Sequence, residues 1–141
     1  MLKIKIITIG KTKEPWLQQA SEEYQKRIQK QILIEWILCK NSEHLQMCLE
    51  KEHVFICLDP HGKQITSEEF SSFLFSTFDD TGARITLVIG GAEGLSEQVK
   101  KQAKGLISLS KMTFTHQITR LILLEQIYRA LEIQKGSGYH K

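Results

Sequence analysis

The stretch LVIGGAEGLS, residues 87–96, runs an apolar segment into Gly90, Gly91 and Gly94 and then reaches Ser96. A strand, a glycine turn and a helix start make the layout of many phosphate cradles, because glycine lets backbone amides come close to a ligand. The spacing excludes the two common versions. A dinucleotide loop needs glycines at i, i+2 and i+5 and an acid about 20 residues on. Here the glycines fall at i, i+1 and i+4, and no Asp or Glu lies between Ile107 and Leu124. A Walker loop needs a lysine before its Ser or Thr, and GGAEGLS has none. Glu93 inside the loop would also repel an anion held by the backbone. The loop therefore suits a ligand without a phosphate, read by backbone amides, with Ser96 left to cap the next helix. A tight strand-to-helix turn is the competing reading.

Other chemistry-bearing residues cluster toward the C-terminus. His116 stands before the last helical stretch and is placed to act as a base or to orient a bound ligand; a helix-start histidine making a local hydrogen bond is the alternative. Arg120, one turn on, is expected to reach a phosphate or a carboxylate, against the alternative of an exposed salt-bridging side chain. Glu125 and Arg129 at i and i+4 read as an intrahelical pair. Lys11 and Lys13 form a local basic spot. The three cysteines, Cys39, Cys48 and Cys57, make no CxxC, and with five scattered histidines no metal-ligand spacing emerges. No metal is expected on this count, and Cys57, within an apolar run, reads as a buried thiol.

These residues need elements to hold them. LKIKIITIG reads as a strand, and Pro15 opens a helix to about Ile28, with Trp16, Ala20, Tyr24 and Ile28 spaced by fours. Trp16 and Tyr24 are assigned to packing. ILIEWIL is a second strand, followed by a helix over about Glu43–Lys51. HVFICLD is a third, and Thr66 with Glu69 forms a capping box for the helix after it. The apolar ARITLVIGG is a fourth strand, buried on both faces as in the middle of a parallel sheet. A short helix starts at Ser96 and Glu97, and GLISLS is a weaker fifth strand. The last helix, His116 to about Gln134, is apolar on more than one face and needs cover on two sides, its own sheet and a second subunit. The alternation predicts an α/β fold, a mostly parallel five-stranded sheet with helices on both faces. Ligands in such sheets bind at the carboxyl ends of the strands. That singles out LDPHGK after the third strand, GGAEG after the fourth and LSKMTFTH after the fifth.

At 141 residues, with 41% hydrophobic and 25% charged residues, the chain reads as a single globular domain, residues 1–141. The longest apolar run, Val54–Leu58, falls far short of the roughly 20 residues that cross a bilayer, so no membrane partner is expected. The N-terminus lacks the apolar core of a signal peptide, which predicts a cytoplasmic protein. Nineteen basic against sixteen acidic residues give +3. That mild excess permits an RNA partner where charge clusters but does not require one.

LVIGGAEGLS, the later ISLSKMTFTHQITRLILLEQIYRALEI, the terminal YHK, the early IGKTKEPWLQQASEEYQKRI and LDPHGKQITSEEF together resemble the RlmH family of SPOUT-superfamily RNA methyltransferases over essentially the whole chain. The resemblance implies a C-terminal deep trefoil knot, a homodimer and S-adenosyl-L-methionine as cofactor. The implied reaction is N3-methylation of a pseudouridine in helix 69 of 23S rRNA, with the 70S ribosome or its large subunit as substrate. Carried over by position, Leu58, Gly90, Leu109, Ser110, Lys111, Met112, Thr113 and Phe114 bind the cofactor. His116, Arg120, Tyr139 and His140 become the catalytic candidates, and Lys11, Lys13, Arg120, Tyr139, His140 and Lys141 the RNA contacts. A tyrosine to stack on a base, a histidine for proton transfer and a terminal cation fit an RNA-facing cluster. The chain departs from the family at the tail, where GSGYHK replaces an HPYH-type segment and adds flexibility, and at Thr115, where proline is common. A knotted tRNA methyltransferase and a non-catalytic RNA- or nucleotide-binding module are the alternatives.

Overall fold

Isoleucines alternating with lysines make Leu2–Ile9 the first strand, β1. In the computed structural model, which describes residues 1–141, four further strands join it: β2 (Ile32–Cys39), β3 (Ile56–Gln64), β4 (Arg84–Ile89) and β5 (Gly105–Ser108). They form one sheet in the order β2-β1-β4-β3-β5, and every neighbouring pair is parallel. The five residues after Arg84 in β4 are all buried, as its unbroken apolar run requires of a strand covered on both faces.

The two faces carry separate cores because successive side chains of a strand point opposite ways. On one face Ile4, Ile6, Leu87 and Ile89 meet α1 (Pro15–Ile28), α3 (Ser67–Thr81) and α5 (His116–Lys135) through Ile28, Phe70, Leu74, Leu123 and Ile127. On the other, Ile7, Cys57 and Val88 meet α2 (Ser42–Glu50) and α4 (Glu97–Gln102) through Leu45, Leu49 and Val99. Caps set the helix starts. Thr66 and Glu69 form the reciprocal capping box of α3, and Ser96 accepts from Val99 N at 3.2 Å to open α4. Gly136, at φ 73°, ends α5 in a left-handed conformation that glycine adopts without strain. No helix is long and apolar enough to cross a membrane.

Two expectations need correcting. LDPHGK is not a loop beyond β3 but part of that strand, which starts at Ile56 and runs to Gln64. Leu58 and Lys63 both lie opposite Ile107 of β5, so residues 59–62 bulge out and the strand then resumes. A Cβ on Gly62 would lie 2.7 Å from the backbone of Leu106, so only glycine lets the strands close up again. Trp16, assigned to packing, is 57% exposed, because Leu17, Ser21 and Ile28 take the buried face of α1.

Candidate active site

At the bulge in β3 and the carboxyl ends of β4 and β5 lies a cavity of about 1060 Å³, walled by Leu58–His61, by Ile89–Leu95 with Lys100, and by Leu109–Gln117 with Thr119. All three segments that the strand-end rule singled out line it, and so do all eight residues carried over as cofactor ligands. The glycine segment is a tight turn whose backbone faces the cavity. Gly94 N donates to Gly91 O at 3.0 Å, and Gly94 sits at φ 77°. A Cβ on Gly90 would lie 2.8 Å from the carbonyl carbon of Gly94, so the turn closes only around glycine.

The opposite wall is shaped by its own serines. Ser108 Oγ donates to Ser110 O at 2.7 Å, and Ser110 Oγ accepts from Met112 N at 3.0 Å. Neither bond needs a distant partner, so the bend is written locally. It leaves Met112 73% exposed, with Phe114 also partly bare, as an apolar rim on the cavity. Two polar residues of the wall receive no role from the sequence: Asp59, inside the LDPHGK segment, and Lys100. Asp59 is buried, accepts from His61 N at 2.8 Å and pairs with Lys100 Nζ at 3.2 Å. The bond to Asp59 raises the Lys100 pKa against the opposing effect of burial. The Asp-Pro-His turn sequence is the only local hint of this pair, since its partner stands on α4, far along the chain and beyond any short-range pattern.

His116 is the first residue of α5, with Thr115 as its cap. Its Nδ1 is buried without a hydrogen-bond partner. Burial first, then the positive charges of Arg120 and Lys13, holds its pKa below the ordinary value, so the ring is neutral at physiological pH. Arg120 corrects an expectation. It is neither an exposed RNA contact nor a surface ion pair but is 1% exposed, with its guanidinium donating to Ile9 O, Gly10 O and Thr12 Oγ1 at 2.8, 2.8 and 3.1 Å. The open backbone after β1 supplies acceptors that the helix surface lacks. Gln117 reinforces the link, donating to Lys11 O and accepting from Lys13 N, both at 3.1 Å. Lys11 and Lys13 are thereby fixed beside the first turn of α5.

The C-terminal residues lie elsewhere. The Tyr139 ring meets Tyr128 edge-on at 4.9 Å, and its hydroxyl donates to Glu125 Oε2 at 3.0 Å. The Arg129 guanidinium stands 4.8 Å from the Tyr139 ring and pairs with Glu125 at 2.9 Å, the expected intrahelical pair. His140 contacts Arg129 Nη1 through Nδ1 at 3.0 Å and Glu68 through Nε2 at 3.2 Å. Burial and the bond to Glu125 push the Tyr139 phenol up to about 12. Glu125 and Arg129 are nine and thirteen residues past His116, which on a helix is about 14–20 Å. Within one chain, Tyr139, His140 and Lys141 are therefore not gathered with His116 at the cavity.

Away from the cavity, Cys39, His44 and Cys48 bring one ligand atom each within 4.8 Å of one another, a grouping that linear spacing conceals.

A family model described as a predicted SPOUT methyltransferase matches residues 2–140. The ribosomal RNA large subunit methyltransferase H of Protochlamydia amoebophila is 54% identical over 141 residues, covering 100% of both chains. Its counterpart in Coprothermobacter proteolyticus is 41% identical over 140 residues, covering 99% of this chain and 100% of its own. Among solved structures, a probable methylase family protein from Haemophilus influenzae superposes with a TM-score of 0.65 at 10% identity, over 98% of this chain and 70% of that one. The SpoU methyltransferase AviRb from Streptomyces viridochromogenes, solved in complex with AdoMet, gives a TM-score of 0.52 at 13% identity, over 95% of this chain and 58% of that one. At such identities the structural matches speak to the fold alone.

Proposed function

This chain belongs to the SPOUT methyltransferase family, within its RlmH group, and from that premise we propose that it methylates N3 of a pseudouridine in helix 69 of 23S rRNA with S-adenosyl-L-methionine as donor. The observation that carries the reading is the cavity at the strand ends with its glycine turn. Gly90, Gly91 and Gly94 line the cavity in a turn that closes only around glycine at position 90, so their bare backbone amides and carbonyls can read the edge of a flat, neutral adenine. Leu58, Leu109, Met112 and Phe114 supply apolar cover in a cavity of about 1060 Å³, at the upper end of the small-molecule range. Those features fit the cofactor.

When bound, S-adenosyl-L-methionine supplies an electrophilic methyl group on its sulfonium. The protein's task is then mainly to hold acceptor and donor in line. The wall formed by Leu109–Phe114 fixes one side, and the turn at Gly90–Gly94 the other. The pseudouridine N3 must lose its proton to attack, and the neutral imidazole of His116 is suited to accept it at the cavity edge. Lys11 and Lys13, held beside that edge through Gln117, suit phosphate contacts.

We further propose that the working unit is a homodimer on the ribosome in the cytoplasm. The exposed apolar rim of Met112 and Phe114, with Ile118 bare on the first turn of α5, supports a subunit contact beside the cavity. Tyr139 and His140, anchored about 14–20 Å down α5 from His116, then complete the cavity of the other subunit rather than their own. The fold implied by family membership carries the C-terminal knot. The test is calorimetry with S-adenosyl-L-methionine followed by transfer of labelled methyl to 70S ribosomes and large subunits from a strain lacking the gene. Cofactor heat with label on 23S rRNA is the expected result. Label on tRNA alone would redirect the substrate, and binding without transfer would leave a non-catalytic module.

A further inference from the structure

We infer that Cys39, His44 and Cys48 form a zinc site that ties the edge strand β2 to helix α2. Cys39 is the last residue of β2, while His44 and Cys48 lie one turn apart on α2, so both helical side chains face the strand end. The linear pattern is Cys-x4-His-x3-Cys, which matches no paired-cysteine motif; the strand-to-helix turn brings the three together. The Asn41 side chain accepts from His44 N at 2.8 Å and so fixes where α2 begins and which way His44 points.

The geometry favours a metal over a disulfide. The two sulfurs are 3.8 Å apart. Two thiolates on a tetrahedral zinc, at roughly 2.3 Å from the metal, stand roughly 3.8 Å from each other. A disulfide needs about 2.05 Å and would pull strand and helix together. His44 Nδ1 accepts from Lys40 N at 3.0 Å, which turns that lone pair toward the backbone next to Cys39. Zinc there exchanges this hydrogen bond for a coordinate bond. Two sulfurs and an imidazole select a soft or borderline cation, and they disfavour magnesium and calcium.

Binding is a ligand exchange without oxidation. Zn²⁺ forms two Zn–S bonds and one Zn–N bond, the two thiol protons pass to solvent, and a water fills the fourth position. Cys39 is buried while His44 and Cys48 are half-buried, so ion and water enter from the helix side. β2 lies at the sheet edge, paired only with β1. The clip therefore reinforces the strand with the fewest partners. No cavity residue takes part, so the ion acts on the hold between β2 and α2 and not on the reaction at the cavity.

The test uses the full chain, purified with reductant, and Zn²⁺ or Co²⁺ alone as probe. One zinc per chain is expected by elemental analysis after dialysis against metal-free buffer, and Co²⁺ loading should give sulfur-to-cobalt charge-transfer absorbance. C48S, which leaves one sulfur, should roughly halve that absorbance and weaken zinc on the order of 100-fold in competition with a chromophoric chelator. H44Q, which keeps both sulfurs, should weaken zinc while retaining part of the absorbance, and it guards against a folding defect in C48S. Substoichiometric zinc in the reduced wild-type chain, or equal affinity in wild type, C48S and H44Q, would overturn the site. So would a metal-free chain carrying a Cys39–Cys48 disulfide when purified without reductant.

Discussion

Arg120 Nη2 donates to the carbonyl oxygen of Gly10 at 2.8 Å, joining residues 110 positions apart in the chain. The same guanidinium holds Ile9 O and Thr12 Oγ1, and its Nε is buried without a partner. Burial lowers the Arg120 pKa, and the three oxygens that face it are neutral. The bond is thus a buried clasp between the start of α5 and the turn after β1. It fixes the helix turn that carries His116.

Removing the clasp should cost stability first. Arg120→Met keeps much of the bulk but leaves two carbonyls and a hydroxyl without donors, at about 1–3 kcal/mol each where they stay dry. A net loss of about 3 kcal/mol in urea unfolding is expected, with Arg120→Lys losing less. An Arg120→Met chain as stable as wild type but poor at binding ribosomes would restore the RNA-contact reading.

Gly90 gives a second test. Even the Cβ of alanine strikes the Gly94 backbone at 2.8 Å, inside the turn itself. Gly90→Ala should therefore reshape the turn, weakening S-adenosyl-L-methionine at least about 100-fold in calorimetry, which corresponds to about 2.8 kcal/mol. The melting temperature should fall only modestly, since the turn lies at the surface end of β4. Undiminished affinity would remove the Gly90–Gly94 turn from the cofactor site.

What is legible in the sequence follows from what is local. Strand alternation in β1, the apolar run of β4 and the Thr66–Glu69 box each act within a few residues, so their elements stand as expected. The strand-end rule then locates the cavity. β3 beyond Leu58 is illegible because Pro60 and Gly62 look like turn residues, and only pairing with β5 makes Lys63–Gln64 a strand. Arg120 is misread for the same reason, since its acceptors lie at the other end of the chain. The tail shows the reverse error. Gly136 suggests slack, yet its left-handed conformation ends α5 and turns Tyr139 back onto Tyr128.

His116 makes stability depend on pH. Its folded pKa lies below the ordinary value through burial and the nearby Arg120 and Lys13 charges. As pH falls, the unfolded chain takes up this proton before the folded one does, so acid favours unfolding. The contribution is harmless above the unfolded pKa and destabilises progressively below it. His116→Gln should flatten the fall in urea midpoint between about pH 7 and about pH 5 relative to wild type. It should also slow methyl transfer at neutral pH while sparing cofactor affinity. Parallel stability profiles for the two chains would show that His116 titrates as if exposed.

Subunit mixing tests where the tail acts. Deleting Tyr139–Lys141 should spare folding and cofactor binding but remove methyl transfer, and Gly90→Ala should disable the cavity. If the tail serves its own chain's cavity, a dimer of one tail-deleted and one Gly90→Ala subunit holds no complete site. If it serves the partner's, the intact cavity of the first subunit meets the intact tail of the second, and one of the two sites works. The separation of about 14–20 Å between His116 and the Glu125–Arg129 anchor of Tyr139 favours the second arrangement. Co-expressed, doubly tagged heterodimers should therefore recover about half of wild-type activity per dimer, with both parent homodimers inactive. Heterodimers as inactive as their parents would place the tail outside the partner's site.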